Sequence, residues 1–292
     1  MLSVIITSFK EPKTIGKAIQ AVLDNNLKEK YEILVLAPDR ETLDSAREFS
    51  KKNKKITLIK DPGQGKSSAL NLVFEKAKGE ILILTDGDVY ISPDSLKHLL
   101  NPFEEKTIGA VSGHPVSVNS EKSMLGFWSH LLSDTADLRR KKAIKTGKRF
   151  YCSGYLYALR KNLIQKIPEE TLSEDGLISH MIYEKGFKIA YSPESKVYIK
   201  YPANLKDWFI QKRRSAGGYN QIKLWTGATI RSFSKESSGV FDILKYPKNL
   251  KQYFYTFILL FVRIWLWILI FFDINVKKKN LKTMWKRAES TK

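Results

Sequence analysis

The chain has 292 residues, of which 43% are hydrophobic and 12% are aromatic, so it can bury a core and is not globally disordered. The formal net charge of +20 predicts a polyanionic neighbour, either nucleic acid, an anionic membrane surface or a phosphorylated substrate. The single cysteine, Cys152, excludes a disulfide framework and fits a reducing compartment. Nucleic acid is not predicted as a partner, because the basic residues come with no zinc-type spacing or aromatic RNA-binding signature.

The first hundred residues alternate between apolar runs typical of buried strands and segments with helical spacing. The four predicted strands are residues 4–8, 31–36, 56–59 and 81–84. A helix is predicted after each of the first three strands, and Gly79 is expected to end the third helix. This βαβαβαβ order predicts an α/β fold with a Rossmann-like, mostly parallel central sheet flanked by helices.

Polar segments lie at or just past the end of each predicted strand, at residues 8–11, 37–39, 63–66 and 86–88. Because ligands bind at the carboxyl ends of such strands, these four segments are expected to line one crevice. In the last of them, Asp86-Gly87-Asp88 presents two carboxylates, whose hard oxygens suit Mg²⁺ or Mn²⁺ carrying a diphosphate. The alternative for this triplet is an ordinary turn at a strand end.

The middle of the chain, residues 108–201, has a mixed α/β pattern. Short strands are predicted at residues 110–111, 155–159, 188–191 and 196–199. A helix is predicted over residues 177–183, with Gly186 as its stop.

The C-terminal part contains an almost wholly apolar segment, residues 254–272, interrupted by Thr256 and Arg263. As a helix it is about 28 Å long, close to the hydrocarbon thickness of a bilayer, which favours a membrane-associated helix over a buried soluble one. Arg263 at mid-span would be costly in lipid unless it snorkels or is paired. Both flanks are basic and give no orientation, so a spanning helix stays open beside a helix in the interface plane or a re-entrant pair of short helices. These flanking residues are Lys245, Lys248, Lys251, Lys277, Lys278, Lys279 and Lys282.

Five segments, taken in order, resemble family 2 glycosyltransferases of the GT-A fold, particularly the processive branch that includes cellulose and hyaluronan synthases. They are Ser3-Val4-Ile5-Ile6-Thr7-Ser8-Phe9-Lys10-Glu11, Gly63-Gln64-Gly65-Lys66-Ser67-Ser68-Ala69-Leu70-Asn71, Thr85-Asp86-Gly87-Asp88, Ser173-Glu174-Asp175 and Gln211-Lys212-Arg213-Arg214. The resemblance covers residues 2–218. It implies a GT-A domain over residues 1–220, followed by a membrane-associated helical region over residues 221–292.

The resemblance further implies an inverting, metal-dependent transfer of sugar from a nucleoside-diphosphate sugar, with a UDP-sugar favoured, to a lipid-linked or glycan acceptor. Asp88 would bind Mg²⁺ or Mn²⁺ directly, and Asp86 would assist through the metal, ribose or water. Asp175 would be the catalytic base, with Glu174 beside it in the acidic site. The residues expected to bind the nucleotide sugar are Glu11, Asp39, Lys66, Asp86, Gln211 and Arg214.

Each of these assignments has a structural alternative. Glu11 and Lys66 would be solvated residues near helix starts. Glu174 and Asp175 would be favourable acids at a helix N-terminus that Ser173 caps. Gln211 and Arg214 would belong to a basic helix face lying on anionic lipid.

Two departures from the family pattern narrow these expectations. Ser215 stands where the family has a tryptophan that helps to hold the acceptor sugar, which puts processive polymerisation in doubt. Ala37-Pro38 stands where family members usually have acidic residues, with Asp39 as the substitute. This weakens the prediction that the donor nucleoside is uridine rather than guanosine. One hydrophobic element cannot easily build an export channel, so limited transfer is favoured unless the chain forms a homo-oligomer or has a membrane partner.

The expected location is the cell membrane, with the catalytic domain on the cytoplasmic side, where the family draws on nucleotide sugars. The enzymatic alternative is a nucleotidyltransferase, which shares a nucleotide-binding sheet and an acidic metal site. An alternative of another class is a non-catalytic basic adaptor for membranes or nucleic acid.

Overall fold

The computed structural model describes residues 1–229, 240–273 and 288–291. Its strands are β1 (Leu2–Thr7), β2 (Tyr31–Ala37), β3 (Ile56–Lys60), β4 (Ile81–Asp86), β5 (Tyr90–Ile91), β6 (Ile108–Ser117), β7 (Leu156–Arg160) and β8 (Lys188–Ile199). Its α-helices are α1 (Ile15–Leu23), α2 (Arg40–Lys52), α3 (Lys66–Lys76), α4 (Ser95–Leu100), α5 (Met124–Lys145), α6 (Glu174–Glu184), α7 (Leu205–Thr226), α8 (Val240–Leu244) and α9 (Leu250–Phe271). The strands form one sheet in the order β3-β2-β1-β4-β7-β6-β8-β5.

The first four strands form the parallel part of the sheet. β1 pairs with both β2 and β4, and β2 pairs with β3, all in parallel. Val4, Ile5 and Ile6 of β1 are fully buried, as expected for a central strand covered by helices on both faces. The four carboxyl ends therefore lie along one edge, where the polar segments predicted from the sequence are found. The predicted α/β fold and these four strands are confirmed.

The other half of the sheet is antiparallel wherever its register is defined. β7 pairs antiparallel with β4 and β6, and β5 pairs antiparallel with β8. Two strands were predicted where the structure has the single strand β8, and this prediction is wrong. The polar stretch in its middle stays in the strand because its hydroxyls are buried and satisfied: Ser192 donates to the His98 carbonyl and Ser195 to the Ser95 carbonyl.

Two glycines were predicted to end helices, and the structure separates their roles. Gly186 follows α6 with φ +80° and donates its N–H to the Tyr183 carbonyl, as a helix stop does. Gly79 does not end α3, since the helix stops at Lys76. A Cβ at position 79 would instead collide with the Ser3 backbone nitrogen and lie 2.5 Å from the Leu2 carbonyl carbon. Gly79 is therefore required by the close passage of the chain against β1.

The chain divides into two compact units. The first comprises Met1–Pro115 and Arg140–Ile199, and it carries most of the sheet. The second comprises Val116–Arg139 and Lys200–Thr291. Its core consists of buried apolar residues, namely Phe127, Trp128, Leu131, Trp208, Ala216, Ile243, Leu259, Leu266 and Ile270. The functional boundary predicted after residue 220 stays a prediction.

The predicted apolar segment forms the helix α9. It is the one helix among the described residues that is long and apolar enough to cross a membrane, with a mean hydropathy of 2.2 over its most apolar window. Lys245, Lys248 and Lys251, which precede or begin it, are exposed. The predicted basic flank on the other side, Lys277, Lys278, Lys279 and Lys282, lies outside the described residues.

Candidate active site

Lys66 joins the two acidic motifs of the first unit. It is the first residue of α3, and its Nζ lies 2.6 Å from Asp86 Oδ1 and 2.8 Å from Glu174 Oε1. Asp86 ends β4 and also accepts a hydrogen bond from Thr7 Oγ1 at 3.1 Å, while Glu174 begins α6. Burial opposes the charge on Lys66, but the Coulombic attraction of Asp86 and Glu174 raises its pKa above the ordinary value. Lys66 is therefore not the solvated lysine of the structural alternative.

Asp175 is held by three hydrogen bonds. Its Oδ2 accepts from the Gly154 backbone N–H at 2.9 Å, and its Oδ1 accepts from Ser173 Oγ and the Gly176 N–H, both at 2.8 Å. Burial, reinforced by the negative charge of Glu174, raises the pKa of Asp175 despite these hydrogen bonds. Glu174 and Asp175 lie in the first turn of α6, as in the structural alternative, but Ser173 at the N-cap position makes no side-chain capping bond. Its hydroxyl orients Asp175 instead.

Glu11 packs against the backbone of the Asp86-Gly87-Asp88 turn. It is buried, accepts a hydrogen bond from Ser8 Oγ at 2.6 Å, and donates its backbone N–H to Thr42 Oγ1. A Cβ on Gly87 would lie 2.8 Å from Glu11 Oε2 and would collide with the Ser8 hydroxyl. Only glycine therefore lets the turn lie this close to Glu11, and the solvated alternative for Glu11 is excluded.

Asp39 lies at the neighbouring strand end, where it caps α2. Its Oδ1 accepts from the Thr42 N–H and hydroxyl, and its Oδ2 accepts from the Lys10 N–H at 2.7 Å. Burial would raise the pKa of Asp39, but these hydrogen bonds hold it below its usual value. The segments after β1 and β2 are thus joined directly, as the predicted crevice requires.

Asp88 lies half-buried in the turn after β4. Within residues 1–229, 240–273 and 288–291, no three His, Cys, Asp or Glu side chains form a ready-made metal cluster. The two carboxylates of the Asp86-Gly87-Asp88 turn nevertheless supply the hard oxygens that Mg²⁺ and Mn²⁺ prefer. Such ions keep several positions for water and phosphate oxygens, so this pair fits a metal that arrives with a diphosphate.

Gln211 and Arg214 lie three residues apart on α7, in the second unit, so they project from the same side of the helix. Both are half-buried, and Ser215 is followed by Ala216 of the second unit's core. Their role toward a nucleotide stays a prediction.

Four residues close to this site were missed from the sequence. Thr7 binds Asp86, and Gly154 places its N–H on Asp175. Asp61 is buried after β3, with its pKa raised by burial and then by Asp39. The strand-end turn Asp61-Pro62-Gly63 was a usable signal for it.

Tyr157 is fully buried, and its hydroxyl has no hydrogen-bond partner among the described residues. Burial, and then the charges of Glu174 and Asp175, raise its pKa well above the ordinary value.

Comparisons with known proteins agree with this architecture. The model of the family described as "Glycosyl transferase family 2" matches residues 3–167. Among curated proteins, a probable glycosyltransferase of Bacillus subtilis (strain 168), YdaM, is 26% identical over 89% of this chain and 63% of its own length. The hyaluronan synthase of Streptococcus pyogenes is 24% identical over 52% of this chain and 39% of its own length. The chain thus spans less than two thirds of these relatives.

Among solved structures, the mannosyltransferase PcManGT from Pyrobaculum calidifontis, in complex with GDP-Man and Mn²⁺, has a TM-score of 0.61 and 17% identity. The match covers 97% of this chain and 82% of that protein, which confirms the predicted GT-A fold. The family match covers more than half of the chain and includes the strand-end motifs, Lys66 and the Asp86-Gly87-Asp88 turn. The chain therefore belongs to glycosyl transferase family 2.

Proposed function

We propose that the protein transfers a sugar from a nucleoside-diphosphate sugar to a glycan or lipid-linked acceptor at a membrane, with inversion at the anomeric carbon. The observation that carries this proposal is the ion pair of Lys66 with Asp86 and Glu174. It joins the carboxylate of the proposed diphosphate site to the acidic pair of the proposed base site. A transfer enzyme needs these two sites side by side, because the bond to the leaving group breaks where the new bond forms.

Asp175 is the proposed catalytic base. An acceptor hydroxyl is a poor nucleophile until its proton is taken, and a carboxylate with a raised pKa is a better proton acceptor than an ordinary aspartate. Ser173, Gly154 and Gly176 fix the orientation of Asp175. These three bonds use three of the roughly four acceptor positions of a carboxylate, which leaves one for a hydroxyl proton. A single base and direct attack on the anomeric carbon give the inverted product.

Asp88 and Asp86 would hold a divalent metal, Mg²⁺ or Mn²⁺, on the donor. When bound, the metal supplies positive charge that stabilises the leaving diphosphate. PcManGT, the solved relative in fold, binds GDP-Man and Mn²⁺, which supports a metal-carried nucleotide sugar for this chain. Lys66, already beside Asp86, would add a second positive charge near the phosphates.

The remaining predicted residues would bind the donor. Glu11 and Asp39 lie at neighbouring strand ends and are the proposed contacts to the nucleoside, for which uridine is favoured. Gln211 and Arg214 are the proposed contacts to the departing diphosphate, since a guanidinium binds phosphate oxygens with two parallel hydrogen bonds.

The proposed acceptor is a glycan or a lipid-linked sugar, and the proposed location is the cytoplasmic side of the cell membrane. The hyaluronan synthase relative supports a glycan product, and the exposed apolar helix α9 supports membrane association. Ser215, in place of the tryptophan of the family pattern, favours limited transfer over processive synthesis.

The test measures the turnover of a panel of nucleotide sugars in the presence of membranes and Mn²⁺ or Mg²⁺. Analysis of the product also gives its anomeric configuration. We expect one donor to be consumed with inversion. A nucleotidyltransferase would instead join a nucleoside monophosphate to a sugar phosphate and release pyrophosphate. If no donor of the panel is bound or consumed, the enzyme proposal is wrong.

The base assignment is tested with Asp175→Asn. We expect this variant to bind the donor as the unmodified protein does and to lose transfer, because asparagine keeps the shape but cannot take the proton. Calorimetry measures donor binding, and the turnover assay measures transfer. Glu169→Gln, which removes an exposed carboxylate from the preceding segment, is the matched control. Full transfer by Asp175→Asn would remove Asp175 from the role of base.

A further inference from the structure

One side of α9 is a continuous exposed apolar stripe. Its residues recur at intervals of three and four, the spacing of a single helix face. They are Leu250, Tyr253, Phe254, Phe257, Phe261, Ile264, Trp265, Ile268, Phe271 and Phe272. No charged residue interrupts them, and the stripe runs along about 33 Å of helix. Such an area is far larger than the scattered apolar residues of an ordinary protein surface.

The opposite side of α9 is packed against the second unit. Thr256, Leu259, Leu266 and Ile270 are buried there. The Trp128 indole of α5 packs in the same core and donates a hydrogen bond to the Tyr255 carbonyl at 2.7 Å. α9 is therefore two-sided, with one face in a protein core and the other exposed, unlike a lone helix that lipid surrounds on all sides.

Arg263 lies on the packed side. It lines a cleft between α7 and α9, together with Trp208 and Lys212 of α7. At 100° per residue it is about 140° around the helix axis from the centre of the stripe. Just beyond the end of α9, Asp273 forms an ion pair with Arg213 of α7. Arg263, Arg213 and Asp273 thus lie away from the exposed stripe.

A spanning helix would conflict with this arrangement. If α9 crossed a bilayer, Arg263 would lie near the middle of the hydrocarbon, where a charge is costly. α7 packs against α9 and would have to enter the hydrocarbon with it, although it carries Lys212, Arg213 and Arg214. A helix lying in the membrane plane avoids both costs, since only the apolar stripe enters the acyl region.

We propose that α9 is a monotopic membrane anchor that lies in the plane of an anionic leaflet, with its stripe inserted among the acyl chains and with no crossing. Lys245, Lys248 and Lys251 are exposed at the start of the helix, where they meet anionic headgroups. The net charge of +20 favours the same kind of surface. This inference deepens the proposed membrane association and is tested without glycosyl transfer, so each can fail separately.

The first experiment compares two isoleucine variants of the full chain by vesicle flotation. Ile264 of the stripe and Ile144 of α5 are 49% and 48% exposed, so Ile264→Glu and Ile144→Glu introduce the same charge at matched exposure. With phosphatidylcholine vesicles containing phosphatidylglycerol, we expect Ile264→Glu to lower the bound fraction about tenfold and Ile144→Glu to leave it nearly unchanged. Equal binding by the two variants would overturn the proposal. If the unmodified protein bound pure phosphatidylcholine vesicles equally well, the proposed preference for an anionic leaflet would be overturned.

The second experiment distinguishes an in-plane helix from a spanning one. Asp242 and Glu289 are exposed acidic residues on either side of α9, and each is replaced by cysteine in turn. The native Cys152 is a suitable background, because burial raises the pKa of its thiol to about 12 and keeps it unreactive. In sealed membrane vesicles from expressing cells, we expect a membrane-impermeant maleimide to label both positions from the same side. Labelling from opposite sides would show that α9 crosses.

The alternative occupant of the apolar stripe is a second copy of the chain, which a third experiment detects. Sedimentation without lipid measures the oligomeric state of the unmodified protein and of Ile264→Glu. A dimer that Ile264→Glu converts to monomer, together with unchanged vesicle binding, would assign the stripe to a protein interface and overturn the membrane proposal.

Discussion

At the level of single residues, the environment of Asp175 determines the pH range of the proposed transfer. Burial and the neighbouring Glu174 carboxylate raise the pKa of Asp175 above the ordinary aspartate value. The base acts only when deprotonated, so activity falls as the pH drops through this raised pKa.

The stability of the fold depends on pH in the opposite direction. Because the folded state holds this proton more tightly than the unfolded chain, the free energy of unfolding falls as pH rises from the ordinary value through the raised one.

Glu174→Gln tests this reasoning. Removal of the negative neighbour lowers the pKa of Asp175, so we expect the acid limb of kcat/KM to move to lower pH. The measurement is a pH profile of kcat/KM, which reports groups of the free enzyme. Glu169→Gln removes an exposed carboxylate and should leave the limb in place. An acid limb that stays fixed in Glu174→Gln, or moves upward, would contradict the proposed coupling.

Two tyrosines that differ in how their hydroxyls are satisfied give a stability prediction. The Tyr157 hydroxyl is buried without a partner among the described residues, whereas the Tyr183 hydroxyl donates to the Phe150 carbonyl at 2.8 Å. Tyr157→Phe removes an unsatisfied group, so we expect the free energy of unfolding to stay constant or rise by about 1 kcal/mol. Tyr183→Phe should lower it by about 1 kcal/mol. Denaturant unfolding of both variants decides this, and a clear loss of stability in Tyr157→Phe would contradict it.

At the level of elements, the connection from α3 to β4 depends on the absence of a side chain at Gly79. A Cβ there would meet backbone atoms of Leu2 and Ser3, which cannot move without displacing β1. We expect Gly79→Ala to lower the free energy of unfolding by roughly 3 kcal/mol or more. Gly186→Ala is the control: it has φ +80° but open space around it, so the cost should be about 1–2 kcal/mol. Similar costs in chemical unfolding would mean that the contact at Gly79 relaxes.

The elements also show what a sequence can and cannot predict. β1 to β4 were predictable because long apolar runs separated by amphipathic helices have few alternative arrangements. The buried part of α5 was not predicted, since its buried positions include Ser129, Ser133 and Thr135, which do not give an apolar helical pattern. β8 was divided in the prediction because buried serines imitate a loop. The strand-end location of the site was therefore predictable, but the hydroxyl and backbone contacts that orient its carboxylates come from segments distant in sequence.

At the level of the whole molecule, donor binding should stabilise the fold. A ligand that binds the native state alone at a hundred times its Kd adds about 2.7 kcal/mol to the free energy of unfolding. We expect a nucleoside diphosphate with Mn²⁺ to raise the Tm, and Asp88→Asn to lose the Mn²⁺-dependent part of the shift. Asp94→Asn is the control, because Asp94 is exposed and asparagine tolerates its φ of +59°. Thermal unfolding with and without EDTA measures this. An unchanged Mn²⁺ effect in Asp88→Asn would remove Asp88 as a metal ligand.

The acidic site is negatively charged, whereas the chain as a whole is positively charged. Asp86, Asp88, Glu174 and Asp175 formally outnumber Lys66 by three charges, within a protein of net charge +20. Long-range attraction therefore brings an anionic nucleotide sugar toward the protein, while the site itself repels it at close range. We expect binding to follow a compulsory order, in which the divalent cation enters before the donor or together with it. Metal-free donor would then be a poor competitor of the metal complex, even when it is in excess.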